Sequence, residues 1–267
     1  MKNSADLMKV VFIVLITSIL SIPVNNLNAA SAKQMYYEIK IYHVDNSVQA
    51  ERVDSYLKDA YLPALHKAGI TSVGVFKPVA DDTTFGSLIY VFIPYKTISQ
   101  YLKLPIQLEK DRDYQKAGRE FLDAPYDDPP FARYESILLK AFINMPGFMP
   151  PVYTNPAGER IYELRSYESA TEEKAAKKIE MFNKGGEIAL FQKLGFNPVF
   201  FGEVLLGSHK PNLMYMTSFQ DMKTHDEKWV LFRNDPEWEK MSGLEEYKNT
   251  VSKADVYLLH PTSYSDF

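Results

Sequence analysis

Two short runs carry the densest polar chemistry in the chain. Glu163, Arg165 and Tyr167 alternate with Tyr162, Leu164 and Ser166, and Glu38, Lys40 and Tyr42 alternate with Tyr37, Ile39 and Ile41. An acid, a base and a phenol spaced two apart share one face of a β-strand. Around a ligand, Arg165 and Lys40 would fix an anionic or carbonyl oxygen, Glu163 or Glu38 would act as general acid or base, and Tyr42 and Tyr167 would orient the molecule. Glu163 and Arg165 are then the catalytic candidates, with Glu38, Lys40, Tyr42 and Tyr167 as the ligand-binding set. A plainer role competes with this one. Enclosed acids and bases must pair, because an isolated buried charge is costly, so the same residues would serve as structural ion pairs that fix register.

The other reactive residue types are scattered. The histidines His43, His66, His209, His225 and His260 form neither a His-x-x-x-His pair nor an HExxH run, so no metal site is expected. His225 stands four residues before Trp229, one face of a helix, which suits a packed pair better than a proximal haem ligand. No phosphate-binding glycine loop and no Gly-x-Ser-x-Gly is present, and no cofactor is expected. Cysteine is absent, which removes disulfides, thiolate metal sites and a Cys nucleophile. Lys+Arg 30 against Asp+Glu 34 give a net charge of -4, too balanced for a nucleic-acid binder. With 46% hydrophobic residues the chain can bury a sizeable core.

The elements that position the two runs are legible because the chain repeats itself. Tyr37-Glu38-Ile39-Lys40-Ile41-Tyr42 returns as Tyr162-Glu163-Leu164-Arg165-Ser166-Tyr167, 125 residues on. In the same order, His66 to Ile70 answers Gln192 to Phe196, Leu88-Ile89-Tyr90 answers Leu213-Met214-Tyr215, and Lys110 to Lys116 answers Asn234 to Lys240. Residues 143–159 between the copies are rich in Pro and Gly and read as a linker. The expected domains are therefore 33–142 and 160–267.

Each copy reads strand, helix, strand, strand, helices, strand. Val53, Leu57, Tyr61 and Leu65 recur at helical spacing, as do Ile179, Phe182, Leu190 and Leu194. Gly69 and Gly195 stand where a left-handed residue ends a helix. Asp235-Pro236-Glu237 reads as an N-cap followed by proline and an acid in the first turn. Gly185-Gly186 is expected inside a helix, tolerated for a close backbone approach. The order defines an α+β chain of two tandem ferredoxin-like (βαββαβ) domains. Each leaves one sheet face bare, and the two are expected to cover each other in an intramolecular dimeric α/β barrel.

Alternation sorts the first strand of each copy into two faces. Helices need an apolar partner, so Tyr162 and Leu164, with Tyr37, Ile39, Ile41 and His43, are expected to pack on them. That turns both acid-base-phenol sets into the barrel.

The second copy, from Ile161 through Trp238, resembles the NIPSNAP family in Tyr162-Glu163-Leu164-Arg165 with Tyr167, in Gly185-Gly186 and in Asn234-Asp235-Pro236-Glu237-Trp238. The first copy departs, with Lys40 for Arg165, His43 for Glu168 and Arg112-Asp113-Tyr114 where Pro-Glu-Trp would stand. The resemblance implies the dimeric α/β-barrel fold but no agreed reaction, since relatives by fold include cofactor-free oxygenases and haem-degrading enzymes, and animal members look like adaptors.

The N-terminus has Lys2 and Lys9, a 13-residue apolar run Val10 to Ile22, and Ala30-Ser31-Ala32. This is the secretory pattern, and the run is shorter than the ~20 residues of a membrane-spanning helix. Residues 1–32 are expected to be a cleaved signal peptide, giving a secreted or periplasmic protein without a stable membrane anchor, while Met8 is an alternative start. A small-molecule ligand and a homodimer of the two-domain chain are the partners considered. Two functions stand: a small molecule bound in the barrel cavity, with or without cofactor-free catalysis, or a non-catalytic interaction protein whose barrel core is filled.

Overall fold

The computed structural model describes residues 33–267, so the expected signal peptide lies outside the described residues. Strand β1 (Tyr36–His43) leads into α1 (Ser47–Tyr56), which continues through one π-helical turn into α2 (Leu62–Lys67). Then come β2 (Gly74–Pro78), β3 (Leu88–Tyr95), α3 (Ile98–Lys110), α4 (Arg112–Ala117), α5 (Arg119–Leu122) and β4 (Arg133–Ala141). The second half supplies β5 (Ile161–Glu168), α6 (Glu172–Asn183), α7 (Glu187–Lys193), β6 (Asn197–Leu206), β7 (Asn212–Phe219), α8 (Met222–Arg233), α9 (Pro236–Ser242) and β8 (Lys253–Pro261).

Local sequence explains the boundaries. The side chains of Asn46, Thr97, Asp111, Thr171, Asp221 and Asp235 each accept a backbone N–H in the first turn of the helix they precede. Gly69 and Gly195 have φ of 82° and 72°, the left-handed geometry expected after α2 and α7. Gly185-Gly186 departs from expectation. The pair separates α6 from α7 rather than lying within a helix: Gly186 has φ of 97°, and a Cβ on Gly185 would come within 2.5 Å of the Met181 carbonyl oxygen. The chain turns sharply there because two glycines let it.

All eight strands close into one antiparallel barrel in the order β1-β3-β2-β8-β5-β7-β6-β4. The halves are stitched at two seams. Phe76 to Pro78 pair with Pro261 to Leu259, and Leu138 to Ala141 pair with β6 between Leu206 and Gly202. A closed barrel has no free edge, which removes a template for aggregation.

Three large apolar clusters follow from this closure, with a small fourth of Met181, Met241 and Tyr247 beside them. One fills the barrel, drawing Tyr37, Ile39 and Phe92 from the first half and Tyr162, Leu164 and Phe200 from the second. Phe92 and Phe200 stack at 4.9 Å, and the Phe267 ring packs against Phe76, Phe92 and Tyr162. From the Pro-rich segment, Phe148 adds to this plug. The other two large clusters lie between the sheet and the helices of each half.

This distribution reverses the expected facing of the first strands. Tyr37, Ile39, Ile41, Tyr162 and Leu164 point into the barrel, whereas Glu38, Lys40, Tyr42, Glu163, Arg165 and Tyr167 point toward the helices. His43 follows Ile41 to the barrel side, not the helix side. The physical reason is that both strand faces are buried once helices wrap a closed barrel. Its narrow interior takes rings and aliphatic chains from eight strands, with no helix to bring counter-charges. The outer layer can supply them.

Candidate functional site

The two acid-base-phenol sets occupy equivalent places under the two helical layers, but their surroundings differ. In the second half Glu163 is almost fully enclosed. One carboxylate oxygen, Oε1, accepts from Arg165 Nε at 2.8 Å and lies 2.6 Å from its Nη2, while Oε2 accepts from Trp229 Nε1 at 2.5 Å. His225 Nε2 stands 3.4 Å from the same Oε2. Arg165 spends its remaining reach on the Tyr167 hydroxyl at 3.0 Å, and its guanidinium stacks 3.8 Å from the centre of the Trp229 ring. Tyr167 in turn bonds the Tyr215 hydroxyl at 2.9 Å. Every residue of the set has a protein partner, although His225 makes its hydrogen bond through Nδ1 to Asp226 and its Nε2 makes none.

The charges of that cluster hold one another in place. Burial pushes the Glu163 carboxyl up, but His225 and Arg165 prevail and hold it below the ordinary carboxylate range. Burial opposes the Arg165 charge, yet Tyr215, Tyr167 and Glu163 raise its affinity for the proton above the usual value. Close by, Lys178 Nζ meets Glu187 Oε2 at 2.7 Å with both side chains buried, and burial raises Glu187 despite its partner. The arrangement makes a structural network in which acid, base, indole and phenols hold one another.

In the first half the same strand positions open onto a cavity of about 590 Å³ between the sheet and the helices. Its size falls within the range of small-molecule sites, roughly 300–1,000 Å³. Glu38 is on its wall, accepting from the Tyr95 hydroxyl and from Ser136 Oγ, each at 2.7 Å. Lys40 sits beside it with Nζ 3.8 Å from Glu38 Oε1, and its ammonium makes no hydrogen bond among the described residues. The rings of Tyr61 and Tyr134 lie 5.2 and 5.5 Å from that ammonium. Burial would lower the Lys40 pKa, but the Glu38 charge and the nearby tyrosines hold it above its ordinary value, so the group is a cation and not a nucleophilic amine.

The remaining walls are of two kinds. Tyr56 and Tyr114 join hydroxyl to hydroxyl at 2.7 Å, while Leu104, Pro105 and Leu108 of α3 present apolar surface. The cavity exists because the first half has no counterpart to Trp229. Where that indole fills the second half between Glu163 and the helices, the first half has the shorter side chains of α3.

Of the candidates from sequence, Glu38 and Lys40 line the cavity. Tyr42 does not; it packs edge-on to Phe121 and Phe131 in the core beneath the helices. Glu163, Arg165 and Tyr167 are brought together, away from that cavity and in the other half. Alternation missed Tyr61, Tyr95, Tyr114 and Ser136, which reach the site from four separate elements or their junctions. Tyr114, which stands where Trp238 does in the second copy, closes the cavity wall. Among the described residues no group of three His, Asp or Glu side chains is placed to hold a metal ion.

A closed eight-stranded antiparallel barrel with its helices outside is the dimeric α/β-barrel fold, here an α+β barrel made by one chain. Residues 162–266 match the NIPSNAP family model. No curated protein matches the chain. Among solved structures, a candidate monooxygenase from Fusobacterium nucleatum superposes with a TM-score of 0.56 at 10% identity, covering 86% of this chain and 93% of that one. A candidate monooxygenase from Lactobacillus acidophilus gives 0.54 at 11% identity, covering 86% and 94%. An uncharacterized NIPSNAP-like domain protein from Burkholderia xenovorans is 17% identical over 40% of this chain and 90% of its own, with a TM-score of 0.37. Likeness at these identities speaks to fold.

Proposed function

We propose that the protein binds a small anionic or carbonyl-containing molecule with an aromatic or apolar body in the cavity of its first half. The carrying observation is the Lys40 ammonium, a cation without a hydrogen bond among the described residues, set in a cavity of about 590 Å³ walled by tyrosines. An oxyanion that accepts from Lys40 would supply the missing partner. Ring faces and the α3 leucines would take the body of the ligand. Glu38, held by Tyr95 and Ser136, is the counter-charge and, in an enzymatic form of this reading, the one carboxylate in the cavity wall able to accept a substrate proton. Two structures that share the fold are candidate monooxygenases, which supports an enzymatic form of this reading.

Two structural readings accompany this one. The strand orders β4-β1-β3-β2 and β8-β5-β7-β6 within the halves support two tandem ferredoxin-like units, of which the second keeps the family pattern and the first has become the binding half. The basic, apolar and small-residue pattern of residues 1–32 supports export by a cleaved signal peptide. A second functional reading, a non-catalytic interaction protein, is favoured by one observation: the barrel interior is plugged by aromatic rings.

Titration calorimetry with benzoate, salicylate and 4-hydroxyphenylacetate, on the protein and on Lys40→Met, separates the two. The binding reading expects saturable binding of at least one acid, weakened about tenfold or more by Lys40→Met, in keeping with loss of a charge-assisted hydrogen bond. Equal binding by both proteins, or none by either, would overturn it in favour of the interaction protein.

A further inference from the structure

A second cavity lies on the other side of the sheet, at the barrel end where β1 and β5 finish and β4 and β8 begin. It measures about 220 Å³, the space of about seven waters. Its floor is the top of the aromatic plug, where Ile41, Ile137 and Met214 face inward. Its rim is polar and comes from both halves, so neither half alone makes it.

Two carboxylates, Glu135 and Asp255, line this mouth, and a third, Glu168, pairs with its lining residues. Glu135 meets His43 Nε2 at 2.8 Å, Glu168 meets His209 Nδ1 at 3.1 Å and Lys253 at 3.4 Å, and Asp255 meets Lys253 at 2.7 Å. One lysine stands against the three acids, so the carboxylates outnumber the ammonium at the rim.

One unsatisfied polar group points to something beyond a charged rim. Asn212 is only 5% exposed and lines the cavity; its Nδ2 donates to Ser166 Oγ at 2.8 Å, while its Oδ1 has no protein partner. Turning the amide over leaves an unpartnered atom all the same. A buried polar atom left unpaired costs about 1–3 kcal/mol, which a ligand would recover. The hydroxyls of Tyr90 and Tyr257, whose rings stand 5.7 Å apart on the same wall, make no hydrogen bond among the described residues.

We infer that the barrel mouth is a second ligand site, selective for a small organic cation of the alkylammonium class. The ammonium N–H groups would be taken by Asp255, Glu135 and Asn212 Oδ1, the charge would sit against the Tyr90 and Tyr257 rings, and the short alkyl chain would rest on the apolar floor. This inference does not rest on the cavity of the first half, which lies on the opposite face of the sheet and is built around a cation.

Saturation-transfer NMR and calorimetry with n-butylammonium, n-butanol and butyrate test it. Butylammonium should bind saturably, about tenfold more tightly than butanol, with butyrate not binding. Asp255→Asn and Glu135→Gln should each weaken the ammonium about tenfold while the unfolding midpoint is kept. Both are rim residues, and Glu135→Gln carries the test if Asp255→Asn disturbs folding. Absence of saturable ammonium binding, equal binding of the three probes, or wild-type affinity in the folded variants would overturn the inference.

Discussion

The indole of Trp229 lies 3.8 Å from the Arg165 guanidinium and donates its N–H to the carboxylate that Arg165 binds. One side chain thus neutralises a cavity in two ways, as a platform for the cation and as a donor to the anion. Lys40 and Glu38, at the same positions of the first half, have no such side chain above them and face open space.

Because Arg165 is embedded in its network and Lys40 is at a cavity wall, removing the two cations should have unequal consequences. Arg165→Met leaves Glu163 buried without its main counter-charge and is expected to cost about 3–5 kcal/mol. Lys40→Met leaves Glu38 with its two hydroxyl donors and should cost only about 1 kcal/mol. Urea denaturation followed by circular dichroism measures both. Comparable losses would mean that the halves are structurally alike and that the open half is no binding site.

His225 gives the second half a pH dependence. Burial lowers its pKa, but its contacts with Glu163 and Asp226 outweigh this and hold it above the ordinary histidine value. A histidine raised on folding contributes stability that is complete below its unfolded pKa of about 6.5 and is lost as pH rises through the folded value. The unfolding free energy should therefore decline as pH rises above about 6.5, and His225→Asn should flatten that limb. Glu163, lowered on folding, acts in the other direction: its contribution is complete above about 4.3 and disappears as pH falls through its folded value. Stability curves of the two proteins at several pH values decide the matter; an unchanged slope in the variant would refute the role.

The buried pair Lys178–Glu187 is expected to stabilise little for what it costs to bury. Glu187→Gln should destabilise by about 3–5 kcal/mol, since it leaves an ammonium enclosed. Lys178→Met combined with Glu187→Leu should recover that loss or exceed the parent protein, because Phe182 and Trp238 already flank the ammonium at 4.5 and 5.6 Å. A double variant no more stable than the single one would show that the pair does more than balance its own desolvation.

How far the sequence went can be judged at particular residues. Period-two alternation and the return of Tyr-Glu-aliphatic-base at Tyr162 located the strands, and Asp235-Pro236 and Gly195 set helix ends to within a residue or two. These are local interactions, complete within a few residues of chain. Alternation also grouped Glu38 with Lys40 and Glu163 with Arg165 correctly. It could not say which group faced inward, because in a closed barrel under helices both faces are buried and hydrophobic pattern no longer separates inside from outside.

The amino-acid sequence by itself determined the elements, their order, and the pairing of acid with base along each first strand, since each depends on neighbours in the chain. Only the tertiary structure decided that the barrel is plugged, that Trp229 seals one charged pair while Lys40 stays open, and that His43, Glu135 and Asp255 meet at one mouth. Those relationships join residues far apart in the chain, and their outcome turns on the volume left between packed layers, a quantity that no local pattern encodes.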